Sequence, residues 1–70
     1  MKKVSNFTVR FKELRNERGL SQREIAEMLG VSHISIARYE LGGETTFDML
    51  VKIAKFFGVT TDYLLGVEDI

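Results

Sequence analysis

Seventy residues make one domain, and a chain of this size withdraws only about 60% of its unfolded surface from water, which leaves a thin margin of stability and favours a partner. Cysteine is absent and histidine occurs once, which excludes a disulfide scaffold, a thiolate metal site and a histidine-built metal or catalytic cluster, and fits an intracellular protein. The formal net charge is zero, yet residues 1–38 carry eight basic and four acidic side chains while residues 39–70 carry two basic and six acidic. Either one half faces phosphate while the other faces away, or the imbalance is the scatter of a short chain. With no proline, 44% hydrophobic residues and helical spacing throughout, the pattern predicts an all-α bundle. No segment approaches the roughly 20 apolar residues of a membrane span, so a cytoplasmic protein is expected.

In chain order, residues 1–5 read as a flexible arm whose Lys2 and Lys3 are either solvated or placed to touch a phosphate or a groove. A first helix is predicted from Asn6 to Arg18, with Phe7, Phe11 and Leu14 at i, i+4 and i+7 as its buried stripe and Gly19 as its end. Arg10, Lys12, Glu13, Glu17 and Arg18 form the outer face, and most of them are expected to be solvated charge without a specific task.

Ser21 followed three residues later by Glu24 is a capping box, with Leu20 and Ile25 at the staple positions, so a second helix starts at Gln22. Ile25, Ala26, Met28 and Leu29 are its apolar side, Glu27 its surface, and Gly30 a left-handed stop that forces a sharp turn. Ser32 caps a third helix, His33 to Leu41, which Gly42 ends; Ile36 and Tyr39 lie on its inward face. Two short helices joined by a tight glycine turn result.

This stretch resembles the phage-repressor and Cro type of helix-turn-helix, the Xre family. The matching residues are Gln22, Ala26, Gly30, Val31-Ser32 and Ile36, then Arg38-Tyr39-Glu40, Gly42, Leu50, Ile53-Ala54, Phe57-Gly58-Val59 and Asp62-Tyr63-Leu64-Leu65-Gly66, so the likeness covers roughly Phe7 to Gly66. It implies a five-helix bundle over residues 6–66, with the helix-turn-helix in helices 2 and 3, and a prokaryotic or phage protein that binds double-stranded DNA at the nucleoid. It also implies that Arg15 pairs with Glu40, a bidentate contact directional enough to lock helix 1 against helix 3. Gln22, in the first turn of helix 2, becomes the first phosphate contact, with Arg23 and Ser32 beside it.

Helix 3 is then expected in the major groove, where each base pair shows a distinct pattern of donors and acceptors. Its outward residues His33, Ile34, Ala37 and Arg38 are the expected base readers: Arg38 forks onto guanine, Ile34 and Ala37 meet a thymine methyl, and His33 donates to a base or phosphate. The rival readings are a core position for Ile34 and plain solvation for His33.

The sequence departs from the family after helix 3, where Leu41 replaces a frequent asparagine and Gly43-Glu44-Thr45 replaces a longer basic loop. Gly42 and Gly43 are still expected to aim backbone N–H groups at a phosphate, although Glu44 repels one. A fourth helix begins after Thr46 and runs to Phe57; Phe47, Leu50, Val51, Ile53, Ala54 and Phe57 make it the chief filler of the core. Thr60 caps a fifth helix, Thr61 to Leu65, with Val59 and Leu64 buried. Tyr63, Leu65, Val67 and Ile70 leave apolar surface near a short tail, residues 67–70, where the family commonly makes its two-fold contact. A homodimer on a roughly palindromic operator, with half-sites about one helical turn apart, is expected.

A DNA-binding regulator of the repressor kind is the leading reading. An antitoxin-type or adaptor protein on the same fold is the alternative, suggested by the zero net charge and the acidic loop. No nucleophile stands with a base and no acid pair has functional spacing, so an enzyme is not expected, and neither a cofactor nor a small-molecule ligand is evident.

Overall fold

A computed structural model describes residues 6–67, and five helices make up its architecture: α1 (Asn6–Glu17), α2 (Gln22–Leu29), α3 (His33–Glu40), α4 (Phe47–Phe57) and α5 (Thr61–Leu65). The expectations for residues 1–5, including Lys2 and Lys3, and for Ile70 lie outside the described residues. Four of the helices begin on a hydroxyl cap. The Oγ atoms of Ser21, Ser32, Thr46 and Thr60 accept from the backbone N–H of Glu24, Ser35, Met49 and Tyr63 at 3.0–3.2 Å, which satisfies one donor that a helix start otherwise leaves unpaired. Glu24 completes the box by accepting from Ser21 N–H at 2.8 Å. The helix ends differ from expectation by one residue in two places. Arg18 closes a turn onto the Leu14 and Arg15 carbonyls instead of continuing α1, and Leu41, not Gly42, caps α3.

The core is a contiguous cluster of Phe7, Phe11, Ile25, Ala26, Leu29, Ile36, Tyr39, Leu50, Ile53, Ala54, Phe57 and Leu64, which draws on every helix. Phe11 sits at its centre, with ring centroids 5.7–6.0 Å from Phe7, Tyr39 and Phe57, the separations at which tilted and edge-to-face pairs are favourable. α2 packs on α3, α1 on both α3 and α5, and α4 on α2 and α5. Helix 1 therefore backs the third helix directly and also carries α5, while α4 joins α2 to α5.

Three expected core residues are on the surface. Met28 is 57% exposed, because Ile25, Ala26 and Leu29 define the inward stripe of α2 and a step of about 100° per residue carries Met28 about 60° past its edge. Val51 is displaced from the Leu50, Ile53, Ala54 and Phe57 stripe in the same way. Phe47 is 88% exposed: as the first residue of α4 it precedes the turn that reaches the core, and it lines an open cleft with Phe7, Leu50 and Leu65. Leu14 and Val59, expected inside, are half-buried at the margin.

Candidate nucleic-acid interface

The turn between α2 and α3 depends on Gly30, whose φ of 74° lies in the left-handed region that glycine enters without penalty. That conformation lets Gly30 N–H and Val31 N–H reach back to the Glu27 and Ala26 carbonyls at 3.2 and 3.0 Å. Ser32 starts α3 immediately afterwards, so only two residues separate the turn glycine from the second helix.

α3 divides cleanly. Ile36 and Tyr39 are buried, whereas Ile34 is 63% exposed and Arg38 lies on the surface. His33 and Ala37 are half-buried, and His33 lines a shallow cleft with Arg23, Glu27 and Ser32 between the two helices. The four outward residues thus share the side of α3 away from Ile36 and Tyr39, and Arg23 lies with His33 along the cleft between the helices. Ser32 Oγ is engaged as the cap and also lies 3.2 Å from Ser35 Oγ.

The C-terminal end of α3 is held from behind by α1. Arg15 Nε donates to Glu40 Oε2 at 2.5 Å, Nη2 to Oε1 at 2.9 Å, and Nη1 to the Leu20 carbonyl at 2.7 Å. The Glu40 side chain is 4% exposed and that of Arg15 12%. Gln22 Nε2 adds a third hydrogen bond to the carboxylate, at 3.1 Å. Burial pushes the Glu40 carboxyl up, but the hydrogen bonds from Arg15 and Gln22 and the charges of Arg15 and Lys12 outweigh it, so it titrates below the usual carboxylate value. The hydrogen bond to Glu40 in turn holds the Arg15 guanidinium above its usual value, against the opposing effect of burial. One N–H of the Gln22 amide is therefore directed inward at Glu40.

Other expectations need revision. The backbone N–H groups of Gly42 and Gly43 do not point outward: they donate to the Tyr39 and Arg38 carbonyls at 3.4 and 2.8 Å. The loop turns tightly there because the last carbonyls of α3 need donors. Arg10 and Arg18 are not idle surface charges. Arg10 Nη1 donates to the Tyr63 carbonyl at 2.8 Å with its guanidinium 4.4 Å from the Tyr63 ring, and Arg18 Nη2 reaches the Phe57 carbonyl at 3.3 Å over Phe56 and Phe57. Two positive charges of the basic half are thus engaged with α5 and α4, although Arg18 stays exposed and Arg10 is half-buried. Their partners lie 53 and 39 residues away, a distance over which no local pattern carries a signal. Thr8, also missed, is 5% exposed and donates to the Tyr39 carbonyl at 2.7 Å.

Near the C-terminus, Tyr63 is half-buried under Arg10, while Leu65 and Val67 are 48% and 72% exposed. Among the described residues no cluster of three or more His, Asp and Glu could hold a metal ion, and no helix is long and apolar enough to cross a membrane.

Comparison with known proteins agrees with this geometry. The helix-turn-helix family profile matches residues 11–64. The chain is 36% identical over 62 residues to the HTH-type transcriptional regulator ImmR of Bacillus subtilis, covering 87% of this chain and 49% of that protein. It is 38% identical over 65 residues to the HTH-type transcriptional activator BcrR of Enterococcus faecalis, covering 91% of this chain and 32% of that protein. The chain thus spans half or less of the length of these two relatives. Among solved structures, the P22 c2 repressor in complex with a synthetic operator shares the fold, with a TM-score of 0.82 at 24% identity over 96% of this chain and 100% of that one. FeII HppE matches with a TM-score of 0.78 at 27% identity, over 87% of this chain but only 33% of that one, so the likeness is to one part of that protein. With a capped α2, a left-handed glycine turn, a half-exposed α3 and a family match over most of its length, the chain belongs to the helix-turn-helix family of the phage-repressor, Xre type.

Proposed function

We propose that the chain is a sequence-specific DNA-binding transcriptional regulator that acts as a repressor, binding a roughly palindromic operator as a homodimer with α3 in the major groove. The observation that carries this reading is the outward side of α3, where Ile34 stands 63% exposed beside Arg38 while Ile36 and Tyr39 fix the helix from within. A solvated helix gains nothing from a bare isoleucine there, whereas a thymine methyl would cover it. Arg38 supplies the fork for guanine O6 and N7, Ala37 a second apolar contact and His33 a polar one. The starts of α2 and α3, with Gln22, Arg23 and Ser32, face the flanking phosphates. A relative named as a transcriptional regulator, one named as a transcriptional activator and the repressor solved on an operator support DNA-binding regulation, and the last of these favours repression. Repression is the simpler outcome, because occupying a promoter blocks it without any further contact.

The dimer contact is assigned to Tyr63, Leu65 and Val67, the latter two exposed. Selection of binding sites from random duplex DNA, repeated with Arg38→Ala, tests the proposal. The expected result is a palindrome whose guanine preference disappears in the variant, at a cost of about 1–3 kcal/mol per half-site. Recovery of no preferred sequence, or sedimentation as a monomer with DNA present, overturns it. The antitoxin-type or adaptor reading draws on a different observation: Leu41 and Phe47, 87% and 88% exposed, flank Glu44, a corner suited to a protein partner. A salt-resistant complex with a toxin, lost in Phe47→Ser, in a chain that selects no DNA sequence would replace the first reading.

A further inference from the structure

Two of the four carbonyls at the end of α3 are tied down by groups with no surface role. Thr8 Oγ1 donates to the Tyr39 carbonyl at 2.7 Å and Gly43 N–H to the Arg38 carbonyl at 2.8 Å, each the shorter of two bonds there, since Gly42 N–H also reaches Tyr39 at 3.4 Å and Leu41 N–H reaches Arg38 at 3.1 Å. Thr8 is the third residue of α1, so its own helix offers no carbonyl four residues back, and its hydroxyl reaches across 31 residues to another element. Its environment makes the hydroxyl costly unless it is used. The residue is 5% exposed, beside Phe7 in the buried cluster, and valine would fill the same space without a polar atom to desolvate. Gly43 is constrained differently. A Cβ built on it would lie 2.9 Å from the Arg38 oxygen, 3.3 Å from its carbonyl carbon and 3.5 Å from its Cβ, so any side chain there must push the backbone of Arg38 itself. Gly43 has no positive φ, and what it supplies is room, not an unusual conformation.

We infer that Thr8 and Gly43 are positioning residues for base reading: together they fix the backbone at Arg38 and Tyr39, and so the angle at which the Arg38 guanidinium is offered to a base edge. The inference rests on the DNA-reading role of α3 proposed above and adds residues that touch no DNA. A fork onto guanine tolerates little misplacement, because both hydrogen bonds must form at once. Loosening the last turn of α3 therefore costs specific binding and leaves phosphate-driven, sequence-independent binding as it was.

The test measures affinity for a selected operator and for unrelated duplex DNA at one salt concentration, well below the melting temperature, in wild type, Thr8→Val, Thr8→Ser, Gly43→Ala and Arg38→Ala. Thr8→Val and Gly43→Ala are expected to lower the ratio of specific to non-specific affinity by about tenfold, the scale of one mispaired contact. Thr8→Ser, which keeps the hydroxyl, should stay within about twofold of wild type, and Thr8→Val combined with Arg38→Ala should lose little beyond Arg38→Ala alone. An unchanged ratio in Thr8→Val, with Arg38→Ala impaired, overturns the inference but leaves the DNA-reading role intact. An unchanged ratio in Arg38→Ala removes both. Should Thr8→Val fail to fold, Gly43→Ala decides alone: a loss of ratio that Arg38→Ala absorbs supports the inference, and an unchanged ratio overturns it.

Discussion

Arg15 and Glu40 meet side by side in a forked pair, Nε on Oε2 at 2.5 Å and Nη2 on Oε1 at 2.9 Å, with almost the whole carboxylate withdrawn from water. The pair joins the last turn of α1 to the last residue of α3, and Gln22 brings the first turn of α2 to the same carboxylate. Three helices therefore share one anion. Removing the arginine leaves that anion buried with a single amide donor, so Arg15→Ala should destabilise the fold by on the order of 3 kcal/mol. Arg15→Lys should recover only part of this, since an ammonium cannot fork. Urea denaturation provides the measurement, and a loss under about 1 kcal/mol for Arg15→Ala would show the pair to be energetically idle.

The same carboxylate gives the fold an acid limit. The Glu40 carboxyl in the folded chain titrates below its ordinary value of 4.5, so between the two values the unfolded chain binds more protons and stability rises with pH. The contribution is complete above about 4.5 and is lost as pH falls through the lower, folded value. Glu40→Gln, less stable at neutral pH, should show a flatter stability profile across this acidic window. Parallel profiles for the two proteins would mean that other carboxylates set the limit.

Gly30 separates backbone strain from steric conflict. A Cβ there would meet only Lys52 Nζ, at an ordinary 3.7 Å, so Gly30→Ala should cost about 1–2 kcal/mol through the left-handed backbone alone. Gly30→Asn should cost less, because asparagine tolerates that region better than alanine. Equal losses for the two variants, measured by thermal melting, would point to packing instead.

Salt dependence counts the phosphate contacts. Gln22 has one amide N–H on Glu40, and the N–H groups of Gly42 and Gly43 serve α3, which leaves Arg23 as the cationic member of the proposed phosphate set. Arg23→Gln should weaken binding to operator and unrelated DNA alike and reduce the slope of log affinity against log salt by about one. A change confined to the operator would place Arg23 among the base readers.

How far the sequence alone reached can be judged element by element. Ser21 with Glu24, Ser32, Thr46 and Thr60 located four helix starts to the residue, because a cap is a bond between groups three positions apart and is written locally. Gly30 located the turn for the same reason, and the spacing of Ile36 and Tyr39 determined which side of α3 goes inward. Met28, Phe47 and Val51 were misplaced because apolar character says that a residue can be buried, not that a neighbour exists to bury it. Only the packed tertiary structure decided that Thr8 holds the Tyr39 carbonyl, that Arg10 and Arg18 are turned onto α5 and α4, and that the glycines after α3 close its end instead of facing outward. Each of these joins groups far apart in the chain or satisfies a carbonyl whose need for a donor appears only once the helix has ended. Periodicity and capping are short-range chemistry that a string of residues records; the pairing of distant polar groups follows from the geometry of packed helices, which no local pattern contains.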